Sequence, residues 1–195
     1  MDLPVEIPLF PLGTVLFPGG PLPLRIFETR YIDLVRRCLR EDSGFGVVLI
    51  REGAEADGPA VTYEVGTYAR IVDFSRQPDG LLGIRAAGER RFRILAVRRA
   101  RDGLNLADVA WLAEQAEQPL PEEFAELGPT IDSILSQAGE PYASLERHPE
   151  DAGWVSARLA EILPVQPVHK QHCLELDDPV ERLRYLRPMF EISRK

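Results

Sequence analysis

Proline sets the first constraint on this chain. Positions 4–24 read PVEIPLFPLGTVLFPGGPLPL, with proline at 4, 8, 11, 18, 21 and 23. Each proline lacks a backbone N–H, and its ring clashes with the preceding helical turn, so no continuous helix runs through this stretch. Within sheets, proline is confined to edges, strand starts and bulges. The segment therefore predicts a short strand near residues 5–9, a turn, and extended chain around Pro18-Gly19-Gly20-Pro21. The same prolines, with Arg25 as the first basic side chain, argue against a secretory leader, and the expected compartment is the cytoplasm.

The next residues change period. Tyr31, Leu34, Val35, Cys38 and Leu39 follow the spacing of one helix face, with Arg36, Arg37 and Arg40 on the wet side and Gly44 as the stop. Beyond Gly44 the texture is that of strands. Residues 45–50 are almost continuously apolar, and 62–74 are rich in β-branched and aromatic residues. Gln77-Pro78-Asp79-Gly80 reads as a turn, 81–87 as the returning strand, and Gly88 as a break. Asp102-Gly103 between two strand-like runs is a hairpin signal, with 104–112 as the partner strand. Five or six strands and one helix joined by tight turns predict a mostly antiparallel, partly closed sheet.

From Pro119 the strand signals fade. Phe124, Leu127, Ile131, Ile134 and Leu135 are spaced as a helix that Gly128-Pro129 should split or kink. Val155, Leu159, Ile162 and Leu163 mark a second helix, stopped by Pro164, and 167–176 a third. Asp178-Pro179-Val180-Glu181 opens a fourth, with Asp178 as cap and Pro179 at the first helical position. Its buried face is Val180, Leu183, Leu186 and Phe190, and Pro188 should kink or end it. The fold class is α+β, with a β-rich domain over 1–115 and an acidic α-helical subdomain over 116–195.

Charge follows the same division. Residues 1–110 hold 15 basic and 15 acidic side chains, whereas 111–195 hold 8 basic and 16 acidic, which puts the whole net charge of -8 in the helical part. An acidic balance opposes nonspecific nucleic-acid binding. No apolar run reaches the roughly 20 residues of a membrane span. Nucleotide-cradle and serine-elbow motifs are missing, and the first 147 residues contain no histidine to serve as a near-neutral base. No catalytic residue, cofactor or metal is expected. His169-x-x-His172-Cys173 has metal-ligand types, but the cysteine points about 100° away from the histidine face, so ordinary helix residues are expected there. Cys38 and Cys173 read as buried reduced thiols.

Two groups of residues remain as candidates. Glu28-x-Arg30-Tyr31 at the helix start reads as an ion pair locking helix to sheet. The strand from Glu89 to Arg101 carries Arg91, Arg93, Arg98 and Arg99, with Arg91, Arg93 and Leu95 expected on one face and Phe92 and Ile94 on the other. Such a face suits single-stranded RNA or, with the nearby acids, a solvated ion-paired surface.

Taken together, the segments resemble the N-terminal domain of the Lon ATP-dependent protease. The likeness runs through LPVEIPLFPLGTVLFPGGPLPLRIFETRY, FGVVLI, VGTYARIVDF, PDG and GERRFRI in the family's order. It continues more loosely through Leu163-Pro164, Lys170-Gln171, Leu174, Asp178 and Glu181-Arg182-Leu183. The resemblance implies a PUA-like β-rich barrel with one helix, followed by a helical subdomain. It implies a non-catalytic role in recognising unfolded or tagged protein substrates and in assembly with neighbouring subunits. The ATPase and serine–lysine protease parts have no counterpart before Lys195, so Lon-type catalysis is not expected here. The F-E-x-R-Y motif maps to Phe27, Glu28, Arg30 and Tyr31, read chiefly as architecture and otherwise as peptide-binding residues.

The leading expectation is a polypeptide-recognition module, non-catalytic, with polypeptide segments or a partner protein as ligand. The mode would be an extended segment on an apolar groove or an exposed sheet edge. Phe10, Phe17 and Leu22 are candidates for such a groove or for the core. A weak homo-oligomer is also expected. The alternative is an RNA-binding PUA-like module using the arginine-rich strand over 90–101; a small-molecule pocket or enzyme is the third, disfavoured by the scarcity of histidine.

Overall fold

The structure, a computed structural model, describes residues 5–53, 61–76 and 80–192. The chain divides into two compact units, Met1–Ala113 and Glu114–Lys195. The first holds β1 (Glu6–Leu12), β2 (Pro21–Ile26), α1 (Thr29–Glu41), β3 (Gly44–Glu52), β4 (Val61–Thr62), β5 (Val65–Arg76), β6 (Leu82–Arg99) and β7 (Asn105–Trp111). Strands run in the order β1-β7-β6-β5-β3, and β3 pairs back to β1, so five strands close into a barrel. The closing β1–β3 pair is parallel and the remaining pairs are antiparallel. Outside the ring, β2 lies against the first half of β6 and β4 against β3.

The prolines meet this closure in a way that edge placement did not anticipate. β1 is the strand that shuts the barrel, yet it pairs with β7 through Glu6–Pro8 and with β3 through Leu9–Leu12. No β1 residue is in register with both neighbours, so Pro8 and Pro11 each need to satisfy only one side. Its side chains fill the interior. Phe10 joins α1 residues Tyr31, Leu34, Val35 and Cys38 in one buried cluster with Phe45 and Ile84. Ile7 and Leu9 join Val48, Tyr68, Phe92 and Val109 in a second. Burying each large apolar side chain contributes roughly 1.5–3 kcal/mol.

Four expectations for this unit need correction. Leu39 is exposed, because α1 buries only Tyr31, Leu34, Val35 and Cys38. The helix stops at Asp42, which takes the left-handed conformation and returns its N–H to the Cys38 carbonyl. Gly44 instead begins β3, where a Cβ would collide with the Ala69 carbonyl and the Tyr68 ring. Gly88 does not break the chain but sits within the 18-residue β6. A side chain there would strike the Phe17 carbonyl, and the Gly88 N–H donates to Gly20 while its carbonyl accepts from Gly19. The fourth is Arg91, expected on an open face and found buried. β5 flanks it at Thr67, and the chain beyond β7 closes the other side through Leu112 N–H donating to its carbonyl. The Asp102-Gly103 turn forms, with Gly103 at φ +84°. Of the other expected turn, Gln77, Pro78 and Asp79 lie outside the described residues.

The second unit is helical. A single 3-10 turn (Glu122–Phe124) precedes α2 (Leu127–Ala138), α3 (Ala152–Ile162), α4 (Pro167–Glu175) and α5 (Pro179–Ile192). Gly128-Pro129 does not split α2 but lies in its first turn, where a missing N–H costs nothing. Ile134, expected on the buried face, is exposed. Pro188 does not end α5, which continues to Ile192. Asp151 caps α3 by accepting from Trp154 N at 2.7 Å, and Asp178 accepts from Val180 N at 2.8 Å at the start of α5. Arg182 ties this unit together. Its buried guanidinium donates to the Cys173 carbonyl at 2.7 Å, Ser156 Oγ at 3.0 Å, the Leu176 carbonyl at 3.0 Å and Gln115 Oε1 at 3.2 Å.

Candidate functional site

The F-E-x-R-Y residues separate into two kinds. Glu28 precedes α1 and pairs with Arg30 at 2.8 Å, while its carbonyl accepts from Tyr31 N and Ile32 N. Arg30 lies 4.7 Å over the Tyr31 ring and donates to the Gly103 carbonyl at 3.3 Å, which ties the helix to the β6–β7 hairpin. The buried Tyr31 ring stacks on Phe10, with centroids 3.9 Å apart and planes 10° from parallel. These three side chains position α1 on the barrel. Phe27 differs, because its ring is 65% exposed. Phe10, Phe17 and Leu22 lie in the core.

Much of the arginine strand is engaged in internal contacts. Arg93 pairs with Glu64 at 3.6 Å and Arg98 with Glu6 at 2.6 Å. Arg99 Nε donates to the Gly103 carbonyl at 3.3 Å and Arg90 Nε to the Leu112 carbonyl at 2.9 Å. With Arg91 buried, the strand does not present the row of free cations that phosphates require.

The remaining chemistry-bearing groups are likewise occupied. His169 Nδ1 is 2.6 Å from Tyr185 Oη, and the His172 ring lies 4.4 Å from the Tyr185 ring. Cys38 and Cys173 are free and buried, and burial pushes the Cys173 thiol up to about 11. Among the described residues no group of three or more His, Cys, Asp or Glu side chains could hold a metal ion. Nor is any helix long and apolar enough to cross a membrane. A cleft lined by Glu117, Gln118, Pro119, His148, Glu150 and Asp151 lies in the helical unit. Asp151 is spent there on Gln118 N and Trp154 N.

One buried acid stands out. Glu161 Oε1 accepts from Arg158 Nη2 at 2.7 Å, whereas its Oε2 is buried without a hydrogen-bond partner. Burial pushes its carboxyl up to about 7, against the opposing pull of Arg158 and Lys170. Lys170 Nζ donates to the Glu161 carbonyl at 2.7 Å.

Several large apolar side chains reach solvent. Besides Phe27, Val72 is 57% exposed and Phe74 61% exposed, both on the outer part of β5. Sequence reasoning counted these two only as strand formers. Their signal was present in Val72-Asp73-Phe74-Ser75-Arg76, where polar residues displace one face of the preceding apolar strand.

A closed barrel followed by a helical unit is an architecture this chain shares with solved N-terminal domains of Lon proteins. The Lon N-terminal domain protein from Xanthomonas campestris matches it with TM-score 0.78 and 38% identity, covering 94% of this chain and 97% of that one. The N-terminal domain of Mycobacterium avium complex Lon protease shares the fold, with TM-score 0.61 and 19% identity over 93% of this chain and 96% of that one. In sequence, the Lon protease of Escherichia coli strain K12 is 29% identical over 201 residues, 96% of this chain and 25% of the relative. Lon protease 2 of Myxococcus xanthus is 38% identical over 96 residues, 48% of this chain and 12% of the relative. The chain thus spans a quarter or less of the length of these two relatives. It belongs to the ATP-dependent protease La (LON) substrate-binding domain family, whose model matches residues 6–190.

Proposed function

We propose that this chain is a recognition module for extended or unfolded polypeptide segments and performs neither ATP hydrolysis nor peptide-bond cleavage itself. The observation that carries the reading is the substrate-binding family match across 6–190. The side-chain chemistry supports it. Glu28, Arg30, Arg98, His169 and Arg182 are spent on internal contacts, while Phe27, Val72 and Phe74 stay exposed. Exposed apolar side chains near a sheet edge suit polypeptide capture, which needs no catalytic group.

The test is fluorescence anisotropy with a labelled, permanently unfolded protein, such as reduced and carboxymethylated α-lactalbumin, titrated with the intact chain. Saturable binding of the unfolded form, and none of the native form, is the expected result. Equal binding of both, or of neither, would overturn the reading.

A further inference from the structure

We propose that Glu161 and Lys170 form a pH-sensitive latch where α3 turns into α4. With Glu161 protonated, the Lys170 ammonium caps the end of α3. With Glu161 ionised, the ammonium is drawn to the carboxylate and the turn over residues 163–166 opens.

The end of α3 needs such a cap. The last carbonyls of a helix have no donor from a following turn. For the Glu161 carbonyl, the N–H four residues on belongs to Val165, which donates instead to the Leu163 carbonyl at 2.9 Å. Pro164, one residue earlier, has no N–H at all. Lys170 supplies the missing donor from α4, with its Nζ 2.7 Å from the Glu161 carbonyl. One side chain thus spans the turn and joins its two helices.

The carboxyl of the same residue is the competing acceptor. Its side chain is 10% exposed, and Oε1 accepts from Arg158, which is 1% exposed. Oε2 is buried without a hydrogen-bond partner. A neutral carboxyl tolerates that position better than a carboxylate, whose charge would lose its hydration and gain no donor. Of the two cations that act on Glu161, Arg158 is already paired with the carboxylate, which leaves Lys170. Its ammonium has three donors, but in this geometry it reaches the carbonyl and not Oε2. Moving to Oε2 takes it off the helix end, and the freed carbonyl must turn to water for a donor. The Tyr142 hydroxyl, from the connection between α2 and α3, also faces this pair. Other charges on the neighbouring helices are engaged elsewhere: Arg182 of α5 meets α3 at Ser156, and Asp132 of α2 holds Arg147. Burial pushes the Glu161 carboxyl up to about 7, so the latch is closed in mild acid and opens as pH rises past neutrality. The proton passes to water, and the ammonium keeps its own.

Amide hydrogen exchange followed by NMR on the intact chain tests the latch, with rates corrected for the intrinsic effect of pH. The reporters are the Leu163 and Val165 amides, bonded here to the Leu159 and Leu163 carbonyls. Between about pH 5.5 and about pH 8.5 their protection should fall about tenfold more than that of Leu183 and Leu186 in α5. Glu161→Gln, neutral at every pH, should keep the turn protected throughout. Lys170→Met, with no ammonium to cap the helix, should leave the turn weakly protected at both pH values. Protection in the parent chain that ignores pH, or that falls equally at the turn and in α5, would overturn the proposal, and this reading requires no variant to fold. So would a pH dependence like the parent's in either variant.

Discussion

Arg182 shows how much of this molecule depends on single buried polar side chains. Four acceptors converge on one guanidinium, and removing it strands them without water. Arg182→Met should destabilise the helical unit by roughly 3 kcal/mol, measured by urea unfolding followed through Trp154. The two thiols test burial differently. Burial raises both Cys38 and Cys173 above their usual thiol range, so neither is a thiolate near neutrality. Both should resist a disulfide reagent at pH 8 and react promptly once urea is added; fast labelling of the folded chain would contradict the packing. Residue identity was legible only in part. Spacing placed Tyr31, Leu34, Val35 and Cys38 inside, because helical period and burial coincide on a helix lying against a sheet. It could not separate Phe17, fully buried, from Phe27, mostly exposed, because both sit in proline-rich or strand-end chain with no period to read.

At the scale of elements, α3 carries a titrating acid. Glu161 has a usual value of 4.5 and is pushed up to about 7 by burial. The folded state therefore binds its proton more tightly than the unfolded state. Stability is greatest below about pH 4.5 as far as this group is concerned, and falls as pH rises from there to about 7. The groups facing Glu161 are Arg158 on α3, Lys170 on α4 and the Tyr142 hydroxyl between α2 and α3. The loss should approach roughly 3 kcal/mol across that window, and Glu161→Gln should flatten it. Unfolding of both forms by urea at pH 5 and pH 7.5 would show this, and an unchanged slope in Glu161→Gln would refute it. Among the strands, the Asp102-Gly103 hairpin was readable because its turn chemistry is local. The bulge between Ile94 and Ala96 was not; the expected alternation, with Phe92 and Ile94 inward and Arg93 and Leu95 outward, holds up to it and ends there. Nor was the parallel β1–β3 pair, which joins residues far apart in sequence and leaves no local trace.

For the molecule as a whole, uneven charge and apolar exposure point the same way. The helical unit carries the entire net charge of -8, and on the basic strand of the barrel Arg93 and Arg98 are each paired with a carboxylate. Single-stranded RNA should therefore show no retention in filter binding even at low salt, where phosphate contacts are strongest. The order of strands then helices, and the resemblance to Lon, were visible in the chain from motif order alone. The exposure of Phe27, Val72 and Phe74 was not, because it depends on which neighbours pack against them in three dimensions. The most direct measurement is amide hydrogen exchange of the intact chain, with and without saturating carboxymethylated α-lactalbumin. The account predicts added protection in the barrel segments that carry the exposed Phe27, Val72 and Phe74, while the β1–β3 closure stays as protected as before. Binding of the unfolded protein with no change in those barrel segments, and protection appearing on the helical unit instead, would contradict it.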